Sequence, residues 1–238
     1  MTVLVFGGRS PIAIALCKQL IENGRQVHLV TREVDAEIQA IASRLKISAI
    51  HQCNLLDTES AINLVTKIDQ KVNHLSGVAF LHRYRESKPI PIDQYIVEVL
   101  TPFKVLESLA KNSRDNELAV VLTSSPAATK VVSDQDFQYH ASKAAIEQLV
   151  RFSSVRFAEN KMRTNGINPG TYVYKERASS FYKENPDVLK TVERLIPLGR
   201  IATVDEIAAV AGFLLGEQSS FINGTVITID GGHSNQVS

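Results

Sequence analysis

The chain has 238 residues, 44% of them hydrophobic, and a formal net charge of +1 from 26 basic and 25 acidic side chains. That length and apolar content support a single domain spanning residues 1–238, and the interspersed charges form no stripe for nucleic acid or a membrane surface. Two isolated cysteines, Cys17 and Cys53, and six scattered histidines provide neither a disulfide framework nor metal-ligand spacing, so no metal and a reducing, cytoplasmic setting are expected.

Val3–Phe6 reads as a strand running into Gly7-Gly8, with no basic leader and no long apolar run before it, so neither a signal peptide nor a membrane span is expected. A helix follows over Ile12–Asn23 and stops at Gly24. Val27–Thr31 is a strand, Val34–Lys46 a helix and Ser48–Gln52 a short strand. Asp57 opens another helix with acids in its first turn, where the helix dipole favours them. Gly77–Leu81 is a strand, Asp93–Lys111 a long helix and Leu118–Thr123 a strand. A helix carrying Tyr139 and Lys143 continues to about Glu159, then come strands Arg163–Ile167 and Val226–Ile229. This alternation implies an α/β, doubly wound, Rossmann-type parallel sheet with helices on both faces. Ligands of such sheets bind beyond the carboxyl ends of the strands, where strand order reverses. The loops that matter are therefore Gly7–Ala13, Thr31–Arg32, Cys53–Asp57, Leu81–Arg85, Ser124–Ser125 and Pro169–Tyr174.

Tyr139 and Lys143 stand four apart, on one helix face. A cation beside a phenol favours its ionised form. Moving a tyrosine pKa from about 10 to about 7 takes roughly 4 kcal/mol, and such a group exchanges protons with a carbonyl or alcohol near neutral pH.

The ordered set of motifs resembles the short-chain dehydrogenase/reductase family over nearly the whole chain. A glycine turn follows the first strand, a strand ends in Ser124-Ser125, and Tyr139-x-x-x-Lys143 begins fourteen residues after Ser125. Arg163-Thr164-Asn165-Gly166-Ile167-Asn168-Pro169-Gly170, Ile196-Pro197-Leu198-Gly199-Arg200 and the tail through Ile222-Asn223-Gly224 to Asp230-Gly231-Gly232 complete it. The resemblance implies hydride transfer between a nicotinamide cofactor and a carbonyl/alcohol substrate. It implies Tyr139 as acid/base, Lys143 as holder of the nicotinamide ribose, and Ser125, rather than Ser124, as donor to the substrate oxygen. It also implies Gly7, Arg9, Ser10, Ile12, Arg32, Asn54, Leu55, Tyr139, Lys143, Pro169 and Gly170 around the cofactor, and a homodimer or homotetramer.

Four departures from the family pattern stand out. The second and third glycines of the turn fall on Pro11 and Ala13, although the helix start behind them still attracts a pyrophosphate. The Asn-Asn-Ala-Gly stretch becomes Phe80-Leu81-His82-Arg83, followed by Tyr84-Arg85-Glu86. Arg83 or Arg85 then recognises an acidic substrate or a cofactor phosphate, or forms a solvated loop paired with acids. The asparagine of the family's proton relay aligns with Glu98, which is expected to hold the relay water, to pair directly with Lys143, or to neutralise Arg83 or Arg85. The family's threonine after Pro169-Gly170-Thr171 is Tyr174, at the head of a lid expected over 174–195.

Arg32, at the end of the second strand, with Arg9, favours the 2′-phosphate of NADP(H), with NAD(H) the alternative. Two rival readings remain: a cofactor-binding but catalytically silent sensor or assembly protein, and an NAD-dependent alcohol dehydrogenase.

Overall fold

Val3 and Val5 are buried on one side of their strand, Leu4 and Phe6 on the other. A strand covered on both faces has no solvent side, which is why this run lacks polar alternation. In the computed structural model, which describes residues 1–86, 90–112, 114, 116–171, 173–174 and 181–236, this strand, β1 (Thr2–Phe6), is flanked in register by β2 (Gln26–Thr31) and β4 (Gly77–Phe80). The sheet continues outward through β3 (Ala49–Gln52) on one side. On the other it runs through β5 (Leu118–Thr123) and β6 (Met162–Asn168) to Val226–Thr228. All seven strands are parallel. The edge strands are the only ones of the seven without a fully buried residue.

One face is covered by α1 (Pro11–Glu22), α2 (Ala36–Leu45) and the helix Val204–Leu214, through Leu16, Leu20, Ile38, Ile207 and Ala211. The other carries α3 (Thr58–Lys71), α5 (Thr101–Ala110) and α6 (Phe137–Arg156), through Val65, Leu106, Leu109, Ile146 and Val150. Each fully buried leucine of these layers stabilises the fold by about 1.5–3 kcal/mol relative to exposure. Local chemistry sets the helix starts. Asp35 accepts from the Ile38 N–H at 3.0 Å, which moves the expected start at Val34 to Ala36. Asp57 accepts from the Ser60 N–H at 2.9 Å. Thr203 and Glu206 form a reciprocal capping box ahead of Val204. Among the described residues no helix is long and apolar enough to cross a membrane.

The helix expected over Asp93–Lys111 is not one regular element. A short helix, α4 (Pro91–Tyr95), passes into a π-helical turn at Ile96–Leu100 before α5 begins. Pro102 is the physical reason. It has no N–H for the carbonyl four residues back, at Glu98, and its ring crowds that carbonyl, so the preceding turn widens. The widened turn carries Glu98 into the core, where it is 2% exposed.

His28 and His51, on neighbouring strands β2 and β3, hydrogen-bond ring to ring at 3.1 Å and are half-buried. Burial, first of all, holds both below the usual histidine range, with Lys71 nearby acting in the same sense. The unfolded chain therefore takes up these protons first as pH falls. Their contribution to stability is complete above about pH 6.5 and is lost below it. Thermal melts should show a falling Tm from pH 7.5 to about 5.5, with a shallower slope in His28→Leu/His51→Leu. Equal slopes would remove the pair from this account.

Candidate active site

At the carboxyl ends of the strands a cleft of about 730 Å³ opens. It lies where the chain leaves β1 and β4, at the point where strand order reverses. Gly7 adopts φ +110°, and a Cβ there would stand 2.9 Å from the Leu81 backbone, so only glycine fits. The N–H groups of Gly7 and Gly8 bind the Val30 carbonyl at 3.1 and 3.2 Å. Pro11 at the helix start has no N–H to lose, while those of Ile12 and Ala13 lie in the first turn, without intrahelical acceptors. The Ser10 side chain makes no capping bond. An anion facing α1 thus meets unspent donors and the positive end of a twelve-residue helix. Across the cleft, Gly170 donates its N–H to Asn168 Oδ1 at 3.1 Å. Its φ of +70° and the 2.7 Å that would separate a Cβ from Asp230 again require glycine. Pro169 and Gly170 line this wall.

Asp136 caps α6 by accepting the Tyr139 N–H at 2.8 Å, and so sets where that helix begins. Tyr139 and Lys143 then lie one turn apart on the same face, both lining the cleft, with Lys143 Nζ 5.4 Å from the centre of the Tyr139 ring. Ser125, after β5, also lines the cleft and accepts from the Ala127 N–H at 3.3 Å. The neighbouring Ser124 hydroxyl is spent on Glu147 Oε1 at 2.9 Å. Asn54 and Leu55 line the side near β2 and β3, with Asn54 Oδ1 accepting the Leu56 N–H at 3.2 Å. Of the expected site residues, Glu98 alone does not reach the cleft surface.

The family model described as enoyl-(acyl carrier protein) reductase matches residues 7–234. The chain belongs to the short-chain dehydrogenase/reductase family. Oxidoreductase UcpA of Salmonella typhimurium is 29% identical, covering 97% of this chain and 93% of its own. An L-xylulose reductase of Caenorhabditis elegans is 28% identical over 98% and 95%. A Pseudomonas aeruginosa RhlG/NADP active-site complex superposes with a TM-score of 0.81 at 25% identity, over 98% and 95% of the two chains. The chain is thus an oxidoreductase of this family.

Within this short-chain dehydrogenase/reductase, the departures seen in the sequence take definite positions. Glu98 pairs directly with Lys143, at 2.8 Å between Oε2 and Nζ, with the two side chains 1% and 3% exposed. The alignment is that of a charge contact. The Lys143 hydrogen bond goes to the Thr123 carbonyl at 3.2 Å, and Glu98 Oε2 accepts none. Glu98 Oε1 accepts the Tyr84 N–H at 2.8 Å. Glu98 does not neutralise Arg83 or Arg85, so of the three expected roles direct pairing with Lys143 is the observed one. His82 donates from Nε2 to the Val97 carbonyl of the π turn at 2.9 Å. Burial lowers its pKa, and its Nδ1 is a buried acceptor with no partner among the described residues.

The partners of three arginines escaped the sequence reading. Arg32 is paired with Glu86, and Arg9 with Asp35 and, at 3.0 Å, Glu37. The hydrogen bond to Glu86 raises the Arg32 pKa, as the one to Asp35 raises that of Arg9. Arg83 lies over the Tyr139 ring, 4.2 Å from guanidinium carbon to centroid. Of the expected lid, residues 175–180 lie outside the described residues, as does Tyr172. Tyr174 belongs to a two-strand ribbon with Ala202–Thr203, and Pro186–Arg194 is an exposed helix.

Proposed function

We propose that the protein transfers a hydride between NADP(H) and a carbonyl/alcohol pair, with Tyr139 as acid/base. The observation that carries this reading is the meeting of Tyr139, Lys143 and Ser125 in one cleft whose far end is the start of α1. A nicotinamide dinucleotide, when bound, supplies or accepts the hydride. The N–H group of Ile12, with Ser10, would hold its pyrophosphate, and Lys143 its nicotinamide ribose. Tyr139 gives its phenolic proton to the forming alkoxide, or takes one from an alcohol in the reverse direction. Ser125 donates a hydrogen bond to the same oxygen. Lys143, fixed between the Thr123 carbonyl and Glu98, holds its charge beside the phenol without needing to reorganise.

The Pseudomonas protein is in complex with NADP, and Arg9 and Arg32 line the cleft here. A specific observation favours NAD(H) as a second reading: both arginines already hold carboxylates. A 2′-phosphate has to replace Glu86 on Arg32, whereas a ribose 2′-hydroxyl does not. The Arg32 side chain is 57% exposed, so the pair contributes little, and its release costs under about 1 kcal/mol. NADPH is therefore expected to bind more tightly than NADH in calorimetric titration. Glu86→Gln should tighten NADPH by roughly two- to fivefold and leave NADH unchanged. A preference for NADH that Glu86→Gln does not alter would move the reading to NAD(H).

A further inference from the structure

Four arginines line the cleft: Arg9, Arg32, Arg83 and Arg85. Arg9 and Arg32 are engaged by carboxylates. Arg83 is not. Among the described residues it makes no ion pair, and its hydrogen bond, from Nη2, goes to the neutral Gln135 Oε1 at 2.5 Å. Asp134, on the same wall, forms no ion pair with it. A guanidinium carries five N–H donors, so most of those on Arg83 have no partner among the described residues. Its position is nevertheless set, by Gln135 from one side and by the face of the Tyr139 ring beneath it at 4.2 Å. A cation held this way has already lost much of the freedom that binding an anion would otherwise cost.

We infer that Arg83 binds a carboxylate of the substrate, which narrows the substrate class to short oxo acids and the matching hydroxy acids. The inference rests on the hydride-transfer reading, because it takes the Tyr139 hydroxyl as the place where the substrate oxygen sits. The guanidinium lies over the ring that carries that hydroxyl. A carboxylate on Arg83 and a carbonyl oxygen on Tyr139 must therefore belong to neighbouring parts of one small molecule, such as a 2-oxo or 3-oxo acid. Arg83 is ill placed to serve the pyrophosphate, since the donors suited to that group are at the start of α1, beside Arg9. The position also explains a sequence departure: where the family pattern has glycine, this chain carries the one cleft arginine stacked on the tyrosine.

Matched pairs test this: pyruvate against methyl pyruvate, and acetoacetate against methyl acetoacetate. Each is titrated calorimetrically into the protein saturated with NADP⁺, which offers no hydride, for the wild type, Arg83→Met and Arg83→Lys. At least one acid is expected to bind about tenfold or more tightly than its ester. That ratio should fall to within about twofold in Arg83→Met and remain partly in Arg83→Lys, while both variants keep their NADP⁺ affinity. Equal binding of acid and ester by the wild type overturns the inference. So does an acid preference that survives Arg83→Met, and loss of NADP⁺ affinity in Arg83→Met would assign the residue to the cofactor instead. The two readings fail separately. Acid binding through Arg83 without Tyr139-dependent oxidation of NADPH refutes the hydride-transfer reading alone. If NADP⁺ does not bind at all, the same titrations on the free protein still decide Arg83.

Discussion

Replacing Tyr139 with phenylalanine is expected to lower kcat by about 10²- to 10⁴-fold while NADPH still binds, because that is the range general acid–base catalysis contributes. The substitution isolates the chemistry cleanly. Tyr139 supports the fold through its backbone N–H, which Asp136 accepts to start α6, and phenylalanine keeps that bond. Its ring receives Arg83 on one face and has Lys143 nearby, and a phenyl ring presents both with the same surface. The phenolic hydroxyl has no hydrogen-bond partner among the described residues, so its removal strands no buried group. Stability should change by well under 1 kcal/mol. A Tyr139→Phe variant retaining more than a tenth of wild-type turnover on a carbonyl substrate would exclude Tyr139 as the proton donor. A wild-type protein that binds NADPH yet reduces nothing across a broad ketone panel would favour the silent, cofactor-binding alternative.

The sheet was legible because its physics is local. The unbroken apolar runs Val3–Phe6 and Leu118–Leu122 announce strands covered on both faces, and the glycine turn after the first places the cleft. Tyr139 and Lys143 were legible for the same reason: a four-residue spacing within one helix determines which side chains share a face. Pro102 also held a local signal, that the helix before it could not stay regular, and so could have located the widened turn around Glu98. Contacts between elements were a different matter. Glu98 reaches Lys143 from another helix, and three partners for it were open on charge alone. Arg32 and Glu86 lie 54 residues apart, on loops whose approach depends on the packing of β2 and β4 against β1. That Arg83 stacks on Tyr139 while Arg85 pairs with nothing among the described residues depends on how the loop after β4 turns, and no periodicity encodes it.

The second large effect concerns stability. Lys143→Met should cost about 3–5 kcal/mol, because it leaves the Glu98 carboxylate buried without its cation. The pair itself is not the source of that figure: taking two charges out of water offsets most of their attraction. The cost belongs to the orphaned partner. Adding Glu98→Gln to Lys143→Met should therefore restore roughly 2 kcal/mol or more. Glutamine is the right second substitution, since its carbonyl can keep the Tyr84 N–H that Glu98 Oε1 accepts at 2.8 Å, whereas leucine would strand that donor. Urea denaturation of the wild type, both single variants and the double variant measures the coupling directly. Additive losses would mean that water reaches the pair and that Glu98 and Lys143 are only neighbours. A coupled result carries a consequence for activity, because the double variant should regain stability while turnover stays low. The ammonium would then be required for the reaction, and Glu98 for holding that ammonium in place.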